Sequence, residues 1–235
     1  MDNELKAKLI RKFQDNGYYN IMKGFLCSRD FDVIFDYLVE QVEDGKRFTP
    51  PLKYLFGAFD ACPYDKLKVI FVGGEPFSDI NVSNGLLFDC SNDDYLANQT
   101  KFLFEAVTRT HKIDKRKKEE VGKPNILSWA NQGCLMLNTP LTTIINKPGL
   151  QHKSIWLPFL SYLFDMLNSK KYIWVFVGKN GMFYNDLINN YYHKFYITNP
   201  YTAIYNNDYW ECYDLFNKIN YYLKQNQQTT IKWIQ

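Results

Sequence analysis

The chain has 235 residues, enough for one large α/β unit with a substantial core, and its 17% aromatic and 23% charged residues exclude a disordered polymer. The formal net charge of +3 is compatible with a nucleic-acid partner without arguing for one. Five scattered cysteines (Cys27, Cys62, Cys90, Cys134, Cys212), odd in number and without C-x-x-C spacing, speak against a disulfide scaffold or a metal site and for a reducing compartment.

Met1-Asp2-Asn3-Glu4-Leu5-Lys6 lacks the apolar core of a signal peptide, and no apolar run is long enough to span a bilayer. A soluble, intracellular protein is expected, with cytoplasm, nucleus or a viral replication site left open. No repeat and no Gly/Ser-rich or Pro-rich linker divides the chain. One domain over residues 1–235 is expected, with 1–47 as a helical N-terminal cap.

Helical apolar spacing runs over residues 2–15 and 30–43, where Phe31, Val33, Ile34, Tyr37, Leu38 and Val42 share a face. Thr49-Pro50-Pro51 makes a rigid extended loop, and 52–59 a short helix. Lys68–Val72 is the first strand, and Asn84-Gly85 a turn before the apolar Leu86-Leu87-Phe88. Residues 95–111 read as helix. The mixed charges of 112–123 read as a solvated loop. Then come a short helix at 126–131, a buried strand at Cys134–Asn138, an amphipathic helix at 154–167 and a fully apolar strand at Tyr172–Gly178. A helix at 183–190, a strand at Lys194–Thr198 and a closing helix at 209–223 complete the chain. Strands alternating with helices predict a three-layer α/β/α fold around a central, mostly parallel four-stranded sheet.

Gly73-Gly74-Glu75-Pro76-Phe77-Ser78 follows the first strand without a spacer. Glycine lets the backbone turn sharply and approach a ligand, and proline fixes the next backbone angle. Glu75 is thereby held at the carboxyl end of a strand, where open α/β sheets bind their ligands. The other strands end at Asn138, Gly178 and Asn199. In a parallel sheet these ends share one edge, so a carboxylate and two amides line a single crevice.

From about residue 48 onward the chain resembles the family-1 uracil-DNA glycosylases. Gly73–Ser78 stands where that family has G-Q-D-P-Y-H, and Asn84-Gly85-Leu86-Leu87-Phe88 is similar to its H/N-G-L-x-F segment. Trp129-Ala130-Asn131-Gln132-Gly133-Cys134-Leu135-Met136-Leu137-Asn138 resembles W-A-x-Q-G-V-L-L-L-N in residue type and spacing. Gln151-His152-Lys153 with Trp156, Gly178-Lys179, Phe216 with Asn220 and Leu223, and Ile231-Lys232-Trp233 extend the ordered series.

The resemblance implies a DNA-repair enzyme that flips uracil out of the helix, reads it and hydrolyses its N-glycosidic bond, without a cofactor or metal. Flipping is required because the bond is unreachable within the stack. Asn138 would read the uracil edge, since an amide carries both a donor and an acceptor. Phe88 would stack on the base, Phe77 would exclude a C5 methyl group, and Gly74 would line the same pocket. Pro50, Pro51, His152 and Lys153 would contact DNA, single- or double-stranded. Two catalytic positions depart from the pattern: the family's Asp is Glu75, and the His opening its second motif is Asn199. The leucine wedge is Ala203, or Ile204 if the register slips. These changes imply slowed catalysis or an altered base preference. They also keep open a second reading, a catalytically inactive homologue acting as a DNA-binding or replication accessory protein with a polymerase-associated partner. A monomer is expected in either case.

Overall fold

The computed structural model describes residues 3–90, 103, 105–107, 125–168, 172–189, 193–200, 202, 210, 212 and 214–234. Three helices open the chain, α1 (Asn3–Asp15), α2 (Tyr19–Leu26) and α3 (Arg29–Glu43), followed by the two-residue strand β1 (Phe48–Thr49). Next come α4 (Gly57–Ala61), β2 (Val69–Val72), α5 (Ile126–Asn131), β3 (Cys134–Leu137) and β4 (Thr143–Ile144). The remainder is α6 (Lys153–Leu167), β5 (Ile173–Val177), α7 (Gly178–Met182), β6 (Lys194–Ile197) and α8 (Leu215–Gln225).

The main sheet has the order β3-β2-β5-β6 and is parallel throughout. Every residue of β2, β3 and β5 is buried, as expected of strands covered on both faces. Helices flank the sheet in the three-layer arrangement anticipated from the alternation of elements, and the register aligns Val72 with Leu137 and with Phe176. The carboxyl ends of all four strands therefore fall along one edge.

The N-terminal helices join an aromatic cluster with α4 and α6. Phe13 meets Phe56 at 4.8 Å between ring centroids, and Phe25 meets Phe159 at 5.7 Å. Each such pair contributes about 0.5–1.5 kcal/mol beyond the area it buries. At the other end, Asn220 exchanges two hydrogen bonds with Ile231, donating from Nδ2 to its carbonyl (2.9 Å) and accepting its N–H (2.8 Å). Gln132 does the same with Lys232, and Trp129 Nε1 donates to the Trp233 carbonyl at 2.9 Å. Asn220 and Gln132 thus fasten the C-terminal segment, so part of the motif series is structural.

Several elements differ from the sequence reading. α2 was not anticipated, and neither was the antiparallel pairing of β1 with β4, which places Thr49 opposite Thr143. The helix expected at 183–190 is instead α7 at 178–182 with a single 3-10 turn at Asn185–Leu187. The closing helix begins at Leu215. The helix expected at 95–111 lies almost wholly outside the described residues, as does the charged stretch 112–123.

Candidate active site

The Gly-Gly junction extends the β2–β3 ladder by two residues. Gly73 N–H donates to the Leu137 carbonyl at 3.0 Å, and Thr139 N–H donates to the Gly74 carbonyl at 2.9 Å. The Thr139 hydroxyl also donates to the Gly73 carbonyl. A Cβ at position 73 would lie 2.2 Å from Leu87 Cδ1, so any larger residue would displace the Leu87 side chain. Leu87 itself is fixed by its N–H to the Met136 carbonyl at 2.9 Å, and Leu86 bridges Leu137. Three segments, 73–75, 86–88 and 137–139, are thereby laced together at the carboxyl edge of the sheet.

Asn138 lies at the end of β3 with 3% of its surface exposed, and its Nδ2 has no hydrogen-bond partner. A buried donor left unmade costs about 1–3 kcal/mol, so a native structure retains one only for a reason. Phe88 is 4% exposed, adopts φ 67 and packs edge-on against Trp210 at 6.3 Å. Phe77 and Gly74 are half-buried at the same edge.

The Glu75 carboxylate is heavily bonded. Thr143 Oγ1 donates to Oε2 at 2.7 Å, Leu150 N–H donates to Oε2 at 3.0 Å, and Gly149 N–H donates to Oε1 at 3.0 Å. An ionised carboxylate offers about four acceptor sites. Three are occupied by the protein, which leaves one, on Oε1.

Asn199 follows β6 and is half-buried, and its carbonyl accepts the Thr202 N–H at 2.9 Å. Gly178 at the end of β5 has φ 63, and a Cβ there would meet Asn199 Cβ at 3.0 Å. Position 199 is thus pressed against the start of α7. Asn180 on α7 was not singled out in the sequence, yet its Nδ2 would be 3.3 Å from a Cβ at Gly74. No local motif marks Asn180; the turn of α7 over β2 brings it there. Pro50 and Pro51 follow directly on β1, beside Thr49. Ala203 and Ile204 lie outside the described residues.

His152 requires a correction. A phosphate contact was expected, but the side chain is 0% exposed. Its Nδ1 is 2.8 Å from Thr142 Oγ1, which accepts a hydrogen bond from Trp156 Nε1 at 2.7 Å. Tyr37 of α3 covers the ring edge-on at 5.7 Å. Lys153 remains at the surface, with Nζ 3.4 Å from the centre of the Phe183 ring. Burial pushes the His152 imidazole below its ordinary range, opposed by the nearby Glu75 charge. The folded protein therefore resists protonating a group that the unfolded chain protonates below about pH 6.5. The stability from neutral His152 is complete above that pH and is lost as pH falls toward the folded value. Urea midpoints between pH 8 and pH 5 are expected to decline more steeply for the wild type than for His152→Gln; equal slopes would refute the assignment.

No family model matches the chain. Curated relatives match over its whole length. A protein of Acinetobacter baumannii strain SDF named uracil-DNA glycosylase is 28% identical over 241 residues, covering 99% of this chain and 98% of the relative. One of Acinetobacter baylyi with the same name is 29% identical over 170 residues, covering 72% of this chain and 70% of the relative. Among solved structures, mimivirus uracil-DNA glycosylase superposes with a TM-score of 0.80 at 20% identity, over 96% of this chain and 88% of that one. The chain is similar to uracil-DNA glycosylases along its whole length and shares their fold. The uracil-DNA glycosylase structure from Nitratifractor salsuginis superposes with a TM-score of 0.63 at 16% identity, over 91% of this chain and 96% of that one. Among the described residues, no helix is long and apolar enough to cross a membrane.

Proposed function

We propose that this chain is a uracil-DNA glycosylase that hydrolyses the N-glycosidic bond of an extrahelical uracil, more slowly than relatives carrying the full motif set. The observation that carries this reading is the buried, unpartnered amide of Asn138, beside the Gly73–Glu75 junction. An amide there satisfies both polar atoms of a uracil edge, and a base reaching it is stripped of water, which strengthens each hydrogen bond. Phe88 stacks on the base and Phe77 excludes a C5 methyl group. The Pro50–Pro51 segment, through the less buried Pro51, and Lys153 contact the DNA backbone.

As the C1′–N1 bond breaks, positive charge develops on the sugar and negative charge on the departing uracil. Glu75 stabilises the first, and its remaining acceptor site orients the water that attacks C1′. The uracil anion leaves, the attacking water gives its proton to the Glu75 carboxylate, and the anion takes up a proton from solvent. Asn199 donates a hydrogen bond from a neutral amide to the departing anion, and a bond to a charged group contributes about 1.5–3 kcal/mol, so the step is retained; a donor that is itself charged would strengthen it, so the step is slowed.

A uracil-containing oligonucleotide incubated with stoichiometric protein is expected to yield an abasic, alkali-labile product, and a thymine control none. Absence of product from folded protein would reject the reading. One observation favours a second reading, a non-catalytic DNA-binding or replication accessory protein: three of the four acceptor sites of Glu75 are already occupied. DNA binding without any abasic product is its signature.

A further inference from the structure

The donors around Glu75 come from one loop. Gly149 (φ 148) and Leu150 (φ 62) are consecutive residues with left-handed backbone, and their N–H groups converge on the carboxylate. Two successive N–H groups turned toward one carboxylate in this way act as an anion-binding nest. Leu150 carries a Cβ that disfavours this geometry, so something must hold it there. The third donor, Thr143, sits in β4, paired with Thr49 of β1 immediately before Pro50 and Pro51. The earlier part of the loop has anchors of its own, with Ile145 N–H donating to the Arg47 carbonyl and Asn146 N–H to the Ser78 carbonyl. Among the described residues, two side-chain-held bonds reach 147–150 from Glu75, and one backbone bond joins the Leu150 carbonyl to the Lys153 N–H at the start of α6.

We propose that Glu75 is a positioning residue as well as the acid of the site: its carboxylate fills the Gly149–Leu150 nest and locks the 143–150 loop, and with it the β1–β4 ribbon that carries Pro50 and Pro51. This accounts for glutamate where the resemblance leads to aspartate. A carboxylate one methylene shorter is drawn back from the nest, because Gly73 and Gly74 just before it are tied to β3. The loop clamp stands on geometry alone, whereas its consequence for DNA rests on the reading of Pro50 and Pro51 as backbone contacts.

Hydrogen exchange of the free protein tests the clamp without requiring any cleavage. In Glu75→Ala and Glu75→Asp, the amides of Gly149 and Leu150 are expected to exchange roughly tenfold faster or more, with β3 and β5 protection unchanged. Glu75→Gln keeps the length and one acceptor oxygen, and Thr143→Val removes one donor of three; both are expected to fall between. Unchanged exchange at Gly149 and Leu150 in all four variants would overturn the proposal, and the two milder variants keep the test open if Glu75→Ala fails to fold. Binding of uracil-containing duplex supplies the second readout. Removing a carboxylate beside a polyanion should by charge alone strengthen binding. The clamp instead requires severalfold weaker binding in Glu75→Ala and Glu75→Asp, and tighter binding in both would sever the loop from the DNA surface. Faster loop exchange in a protein that never cleaves uracil would leave the clamp standing and end the glycosylase reading.

Discussion

Replacing Asn138 with leucine is expected to abolish most uracil excision while leaving the protein as stable as before, or more so. In the folded chain the Asn138 side chain is 3% exposed and its Nδ2 has no partner. Leucine of similar volume removes that orphan donor, and exchanging an unsatisfied buried polar group for an apolar one is neutral or stabilising. The substrate suffers the opposite fate. Two polar atoms of the uracil edge enter the site unpaired at about 1–3 kcal/mol each, which lowers single-turnover excision by roughly 30-fold to 10⁴-fold. Single-turnover rates and thermal melts on the same preparation check both halves. A parallel loss of rate and of melting temperature would mean that Asn138 serves the fold rather than a base.

Restoring a histidine at position 199 is expected to accelerate excision. In the proposed reaction the leaving uracil anion is met by a neutral amide, and a bond to a charged group contributes about 1.5–3 kcal/mol in all, which corresponds to about 10–150-fold in rate. The increase should lie toward the lower end, because Asn199 already supplies part of the stabilisation and the backbone at 199 is confined by Gly178. Asn199→Ala is expected to slow the reaction by about 10- to 150-fold, the range of a hydrogen bond to a charged group. A rate unmoved by both substitutions would show that position 199 does not meet the departing base.

The sheet was legible because β2, β3 and β5 are uninterrupted apolar runs that stop at Gly73, Asn138 and Gly178, while the half-exposed β6 is marked by Asn199-Pro200 beyond it. Those stops also pointed to the edge that holds the candidate site. The two-residue strands β1 and β4 carry no periodicity, and α2 is eight residues between Tyr18 and Cys27, too brief to stand out. Phe183, Leu187 and Ile188 have helical spacing, yet Phe183 and Leu187 are exposed and the helical turn begins earlier, at Gly178. His152 was misplaced because its environment comes from Tyr37 of α3, a contact across the N-terminal region that no local pattern encodes. The setting of Glu75 was hidden for a related reason. Two of its three donors are backbone N–H groups, and all three are 68 to 75 residues away in sequence. Residue type reveals a carboxylate, but not whether its lone pairs are already taken.

The account depends on Glu75 and Asn138 addressing one extrahelical base. A crystal structure with duplex DNA carrying a non-hydrolysable deoxyuridine analogue measures this directly. The expected result is the base seated against Phe88, Asn138 hydrogen-bonded to its polar edge, and the Glu75 carboxylate beside the sugar with its bonds to Gly149 and Leu150 intact. A uracil left stacked in a bound duplex, or seated elsewhere on the protein with the Asn138 amide still unpartnered, would contradict it.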